Sequence, residues 1–96
     1  MMYEYLLPIG TVVKLKNAEK SVMIFGLLQK KDVNGITEMY DYVGVPYPVG
    51  YISPALNFVF NHSQIDEVVY NGFGDNPEWI SFKKGIEFAD KINSHR

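Results

Sequence analysis

One group of side chains has the composition of an acid–base or metal site. His62 and Asp66 lie four residues apart, so a helix would place them on one face, and Glu67 follows directly. A zinc ion needs three or four ligands, however, and the other histidine, His95, lies in a terminus that we expect to fray. The pattern therefore favours a solvent-facing or hydrogen-bonded histidine in a short turn over a metal ligand.

A second candidate for chemistry is Asp41, which stands between Tyr40 and Tyr42 in a stretch with strand-like alternation. Its side chain shares a face with the apolar residues Met39 and Val43, so the carboxyl could be buried, as catalytic carboxyls often are. Alternatively, the carboxyl accepts hydrogen bonds from a tyrosine hydroxyl or a turn amide, which is a structural role. No histidine, lysine or arginine stands beside it in the motif, so we favour the structural role.

Signatures of covalent catalysis and of phosphate binding are absent from the sequence. There is no cysteine, and none of the serines stands in a Gly-x-Ser-x-Gly motif. The glycines Gly72 and Gly74 precede a predicted helix, but they lack the spacing and the lysine or acidic partner of a phosphate-binding loop. We therefore predict no catalytic residue, no metal and no cofactor.

The tyrosines indicate protein binding as the alternative to chemistry. Exposed tyrosines beside prolines suit a protein-binding patch, because each ring offers a large, rigid contact area at low entropic cost. In a small barrel the same rings could instead fill the core, a use that we favour over the interface, and some rings could serve both. The candidate protein-interaction residues are Tyr42, Tyr47, Pro48 and Tyr51.

Short strands joined by turns must position these residues, because proline or glycine recurs at intervals of about ten residues. Gly26 inside an apolar stretch suggests a bulge, residues 30–35 read as a polar loop, and Asn34-Gly35 is a hairpin-turn dipeptide. The predicted strands cover residues 9–16, 21–29, 37–45, 58–60 and 67–70.

The C-terminal part changes from strand to helix periodicity. Trp79, Phe82, Ile86 and Ala89 recur at helical spacing and predict a helix over residues 77–93 that packs on the sheet. At its start, Asp75 and Glu78 have the spacing of a capping box.

The chain is expected to form a single domain, residues 1–96, with a β core over about 6–73 and the helix after it. Hydrophobic residues make up 47% and aromatic residues 15% of the sequence, which excludes a disordered chain. We predict an α+β fold that is mainly β: a strongly bent antiparallel sheet or a small, partly open SH3-like barrel of four to six strands, with the C-terminal helix packed on it.

Charge and hydropathy exclude two classes of partner. The formal charge is −2, and the only basic clusters are the pairs Lys30-Lys31 and Lys83-Lys84, so we predict no nucleic-acid binding. No stretch approaches the roughly 20 apolar residues of a membrane span, and the N-terminus lacks the basic start of a signal peptide. We therefore expect a cytoplasmic protein; the oligomeric state stays open, with a homo-oligomer possible.

Three segments together resemble a small bacterial family of unknown function, numbered four-one-seven-six. They are residues 6–16 with Leu-Pro-Ile-Gly, residues 22–26 with Met-Ile-x-Gly, and residues 40–50 with Tyr-Asp-Tyr-x-Gly-x-x-Tyr-Pro-x-Gly. The resemblance covers about residues 6–73. It implies a Gram-positive bacterium and a gene near type VII secretion loci with LXG-type toxins, and it supplies no activity, ligand or catalytic residue.

The function that we predict is a non-enzymatic accessory or adaptor protein of type VII secretion, which binds another protein through the Tyr/Pro loop or a sheet edge. One alternative is an immunity protein that neutralises a co-encoded toxin, for which a concentrated acidic face would speak. The other is a small enzyme or ligand-binding module that uses Asp41 or His62, which requires a pocket lined by those side chains.

Overall fold

A computed structural model of the protein describes residues 4–94, with side chains described as far as Ile86. Five strands form one antiparallel sheet in the order β4-β3-β2-β1-β5, and two 3-10 turns, Pro54–Leu56 and His62–Gln64, precede β4 and β5. The sheet is bent but not closed into a barrel, and a helix follows it, as predicted. The elements are β1 (Val12–Leu15), β2 (Ser21–Val33), β3 (Ile36–Pro46), β4 (Phe58–Phe60), β5 (Ile65–Tyr70) and α1 (Pro77–Ser94).

The strands β2 and β3 form a long hairpin around Asn34-Gly35. Both turn residues have positive φ, 53° and 81°, which is the backbone of a two-residue turn of type I′. Since such a turn needs only two residues, the pairing continues up to Val33 and Ile36. The predicted polar loop over residues 30–35 is therefore wrong outside the turn itself. All side chains from 30 to 39 are exposed, so this end of the hairpin forms an arm beyond the core, which we call the arm.

A bulge bends the sheet in the middle of β2, before the arm begins. The register changes between the pairs Ile24–Gly44 and Gly26–Val43, so Phe25 is the extra residue. Gly26 is needed at this point because a Cβ there would lie 2.5 Å from Cγ1 of Val43. The predicted bulge at Gly26 is confirmed, and the bend that it produces lets the sheet curl around the core.

The core lies inside the curl of the sheet and contains residues from almost every strand. Valine and isoleucine side chains from β1 and β2 meet aromatic rings from β3 and β4, with the rings of Tyr42 and Phe60 5.3 Å apart. Burial of these side chains is the main stabilising contribution, at roughly 1.5–3 kcal/mol for each large residue. The buried cluster consists of Leu6, Val13, Val22, Ile24, Tyr42 and Phe60.

The helix α1 packs on this core through Trp79 and Ile86. Phe82, which we predicted on the same stripe, is 49% exposed. The reason is the helical angle: at roughly 100° per residue, Trp79 and Ile86 lie within about 20° of one another, whereas Phe82 lies about 60° to one side. Its ring lies beside that of Trp79, and the two ring centroids are 5.8 Å apart. Ala89 lies outside the described side chains.

The start of α1 is capped by Asn76 rather than by the predicted capping box. The side-chain Oδ1 of Asn76 accepts a hydrogen bond from the amide of Trp79 at 3.1 Å, three residues on, and Pro77 takes the first helical position. The predicted cap, Asp75, lies one residue too early. Asp75 and Asn76 are both good capping residues, so the sequence alone does not distinguish between them. No helix in the described part of the chain is long and apolar enough to cross a membrane.

Candidate functional site

The carboxylate of Asp41 is held by donors from two other parts of the chain. Its Oδ1 accepts from the hydroxyl of Tyr5 at 2.8 Å, and its Oδ2 accepts from the backbone amide of His62 at 2.8 Å. The amide of Asp41 donates in turn to Oδ1 of Asn61 at 3.0 Å. Asp41 thus accepts from a tyrosine hydroxyl and from a turn amide, which is the structural arrangement that we favoured from the sequence.

Tyr42 is completely buried, and its hydroxyl connects the same segments. It accepts a hydrogen bond from the amide of Leu7 at 3.1 Å and lies 2.8 Å from Nδ1 of His62. A buried hydroxyl proton needs an acceptor, and Nδ1 is the acceptor within hydrogen-bond distance of it, so we assign the hydroxyl as the donor and the imidazole proton to Nε2. Burial raises the pKa of Tyr42 to about 12, so the hydroxyl keeps its proton at physiological pH.

These contacts fasten the segment before β1, residues 4–9, across the sheet; we call this segment the strap. The ring of Tyr5 lies 4.9 Å from the imidazole of His62, and the side chain of Leu6 is buried in the core. At its start, the carbonyl of Glu4 accepts from Nζ of Lys83 in α1 at 2.8 Å. The strap is therefore bound to β3, to the second 3-10 turn and to the helix.

The arrangement around Asp41 and His62 serves to hold the strap, and we find no reactive geometry in it. Both oxygens of Asp41, the hydroxyl of Tyr42 and Nδ1 of His62 have partners within the chain. Neither residue lines any of the four surface depressions that we describe. A catalytic use of the Asp41 carboxylate or of Nδ1 of His62 would compete with the contacts that fix the strap.

The predicted pairing of His62 with Asp66 on one helical face is wrong. The 3-10 turn ends at Gln64, and Asp66 lies in β5, where strand geometry separates it from the histidine. Among the described residues, no group of three histidines or acids is placed to hold a metal ion. His95 lies outside the described residues.

A second candidate site is the loop that follows β3, residues 47–52, which we call the aromatic loop. Tyr47 is 50% and Tyr51 60% exposed, and the intervening Pro48 and Val49 are exposed as well. The loop is nevertheless fixed at its base. The amide of Tyr47 donates to the carbonyl of Ser21 at 3.0 Å. A tight turn follows, because the amide of residue 50 donates to the carbonyl of residue 46 at 2.7 Å.

Tyr47 also forms one wall of an apolar depression of about 350 Å³ on the sheet. Register explains its other walls, because Val12 of β1 is paired with Met23 on one side and with Tyr70 on the other. The ring of Tyr70 is 64% exposed, so two tyrosines flank a floor of aliphatic side chains. We call the aromatic loop and this depression together the loop surface. The depression is lined by Gly10, Val12, Met23, Tyr47, Val69 and Tyr70.

The structure separates the candidate interaction residues into two groups. Tyr47, Pro48 and Tyr51 lie on the exposed aromatic loop, and their contact with a partner stays a prediction. Tyr42 does not belong with them. The sequence predicts it as a contact residue, but its side chain points into the core, so it cannot touch a partner unless the strap unfolds.

Sequence reasoning missed Met23 and Val69 of the loop surface and the whole role of the strap. Met23 lies in a stretch that is apolar on both faces, which hides the face that stays open. The pairing of β1 with both β2 and β5 brings these residues together, and pairing between distant strands has no local signal. The contacts of Tyr5 and Leu7 could not be predicted from local sequence either, because their partners lie more than 30 positions away.

Comparison with known proteins agrees with the motifs of the strap, of β2 and of the end of β3 with the aromatic loop. No curated protein and no solved structure is significantly similar to the chain. A family model described as a domain of unknown function, DUF4176, matches residues 6–80, from the strap to the first turn of α1. Since this match covers most of the chain, the protein belongs to the DUF4176 family.

Proposed function

We propose that this protein is a non-enzymatic, protein-binding accessory protein and that the loop surface is its binding site. The observation that carries the proposal is the exposure of Tyr47 and Tyr70 around an apolar depression, with Tyr51 exposed on the same loop as Tyr47. Exposed apolar patches of this kind mark interaction sites more often than isolated exposed residues do. Tyrosine rings around an aliphatic floor have the composition of a protein-binding hot spot.

The rigidity of the aromatic loop supports this use. Its base is hydrogen-bonded to β2 at Ser21, and the turn up to Gly50 closes on Pro46. Gly50 has a φ of 85°, which a residue with a side chain rarely adopts, so the turn depends on glycine. A loop that is already ordered loses little conformational entropy when it binds, so more of the contact energy contributes to affinity.

The partner that we propose is a component of a type VII secretion system, which is what the family resemblance implies. The proposal of an accessory role then predicts a stable complex without loss of the partner's own activity. An immunity protein would instead suppress the toxicity of its partner. The cluster around Asp41 and His62 supports neither role, because its groups are engaged within the chain.

The test is a binding measurement with purified proteins. The type VII secretion components and toxins encoded beside the gene are purified and immobilised, and binding is measured by biolayer interferometry. The variant Tyr47→Ser/Tyr51→Ser removes two exposed rings, each of which is worth about 1–2 kcal/mol at a hot spot, so we expect a loss of affinity of roughly 30-fold or more.

The matched control is Phe73→Ser, because Phe73 is 73% exposed and lines none of the described depressions. It should bind as the unchanged protein does. Binding to a secretion component that is lost in the double tyrosine variant supports the proposal. Binding to a toxin together with rescue of cells that express it would establish the immunity role instead. Failure to bind any of these proteins, or equal binding by both variants, counts against the loop surface.

A further inference from the structure

Among the residues that the structure describes, none forms a strand along the outer edge of β2 in the arm. β1 pairs with β2 only as far as Met23, whereas β2 continues ten residues further. In the hairpin, Val33 and Ile36 close the ladder as a hydrogen-bonded pair, so the backbone groups of residues 31 and 29 also point toward β3. The amides and carbonyls of Lys30 and Asp32 therefore point outward, to the unpaired edge.

The order of charges along this edge makes it self-complementary. When two copies of a strand pair antiparallel about a two-fold axis, outward-facing residues must lie opposite each other. Registers centred on Lys30 or on Asp32 would place that residue opposite its own copy, which is unfavourable for like charges. The register centred on Lys31 places Lys30 of each copy opposite Asp32 of the other, and so forms two pairs of opposite charge.

The remaining contact in that register is between the two copies of Lys31 at the axis. This like-charge contact costs part of what the two opposite-charge pairs contribute. Each Lys31 is paired in register with Glu38 of its own hairpin. In this register the arm tip of the second copy would lie beside Gln29. Two opposite-charge pairs therefore oppose one like-charge contact, which makes this register the most favourable of the three.

We propose that this protein self-associates through the arm, by antiparallel pairing of the β2 edges about a two-fold axis at Lys31. The four strands β3-β2-β2-β3 of the two arms then form one continuous sheet. The second copy is the occupant of the edge, and the pairs Lys30–Asp32 fix the register. Since about five residues of each copy take part, the interface is below about 1,000 Å² and the dimer is a weak one, which forms at high protein concentration.

The first test exchanges charges. Sedimentation equilibrium at up to about 1 mM protein should show a dimer of the unchanged protein. Lys30→Asp and Asp32→Lys each turn both opposite-charge pairs into like-charge pairs, so each should lower the association constant roughly tenfold or more. An equimolar mixture of these two variants restores opposite charges across the edge, and we expect a heterodimer. Lys20→Asp, at an exposed lysine outside the arm, is the charge-matched control and should dimerise normally.

The second test captures the register covalently. The chain has no cysteine, so Lys31→Cys introduces a unique thiol at the proposed axis, where two copies lie directly opposite each other. Mild oxidation should convert this variant to a disulfide-linked dimer much faster than Lys30→Cys. In the proposed register the two thiols of Lys30→Cys would be offset by two residues along the strands. A chain that stays monomeric, a dimer that ignores charge exchange, or equal cross-linking at both positions overturns the proposal. The loop-surface variants are unchanged in the arm, so failure here is distinguishable from failure of the proposed function.

Discussion

Removal of one hydroxyl by Tyr42→Phe is expected to destabilise the protein strongly, although it leaves the aromatic ring in place. The hydroxyl accepts from the amide of Leu7 and donates to Nδ1 of His62, and the side chain is completely buried. Loss of the hydroxyl leaves the amide of Leu7 without an acceptor and Nδ1 of His62 without a donor, and each costs about 1–2 kcal/mol. We expect the free energy of unfolding to fall by about 2–4 kcal/mol, which lowers Tm by roughly 10–20 °C in a domain of this size.

The same variant tests the pH dependence that follows from burial. In the unfolded chain Tyr42 ionises near its ordinary pKa of 10.0, whereas the pKa in the folded protein is raised to about 12. Between these values alkali ionises Tyr42 in the unfolded chain before it ionises Tyr42 in the folded protein. The stabilisation that this tyrosine contributes is therefore fully present below pH 10 and is lost as the pH rises through 12. Two units of separation correspond to about 2.7 kcal/mol.

The assay is urea unfolding followed by circular dichroism from pH 8 to pH 12, for the unchanged protein and for Tyr42→Phe. The difference between the two free energies of unfolding should be largest at pH 8 and should shrink by up to about 2.7 kcal/mol toward pH 12. The control is Tyr5→Phe, whose exposed bond to Asp41 should cost less than about 1 kcal/mol. A difference that stays constant across this pH range would refute the assignment of a buried, proton-donating hydroxyl.

Three further substitutions test other contacts of the fold, each by urea unfolding. Asn57→Leu removes a buried side-chain oxygen that has no hydrogen-bond partner among the described residues, and we expect stability to rise by about 1 kcal/mol. Asn76→Ala removes the cap of α1 and should cost about 1 kcal/mol, whereas Asp75→Ala should be nearly neutral. Gly26→Ala drives a methyl group against Val43 and should cost about 1–3 kcal/mol; a neutral result would show that the bulge relaxes freely.

The fold class was readable from the sequence because its signals are local. The Asn34-Gly35 turn, the bulge at Gly26 and the helical spacing of Trp79 and Ile86 each involve a few neighbouring residues, and the structure contains all three. The length of the arm was missed because its residues are polar, and we interpreted polarity as a loop. A two-stranded arm with both faces in solvent has no need of apolar alternation, so this signal is absent there.

The candidate site was harder to predict because it depends on contacts between distant residues. The interpretation of Asp41 as a structural acceptor is confirmed, since a polar residue on an apolar face must find partners. Which partners it finds depends on the path of the strap, and nothing near Asp41 indicates that Tyr5 reaches it. The burial of Tyr42 was missed for a related reason, because a tyrosine carries no local mark of whether its ring faces the core or a partner.

The family motif at residues 40–50 thus has two parts, which meet at the end of β3 and differ in their roles. Before that point, Asp41 and Tyr42 hold the strap, and a substitution there changes the stability of the fold. After it, Tyr47 and Tyr51 stand in solvent on a loop whose backbone is fixed at its base, and their rings contribute little to the core. Loss of binding in a variant of the first part would therefore not identify an interface, because the fold itself would be weakened. Loss of binding with unchanged Tm in the Tyr47→Ser/Tyr51→Ser variant would identify one, and this difference makes the aromatic loop the place where the function can be tested separately from the fold.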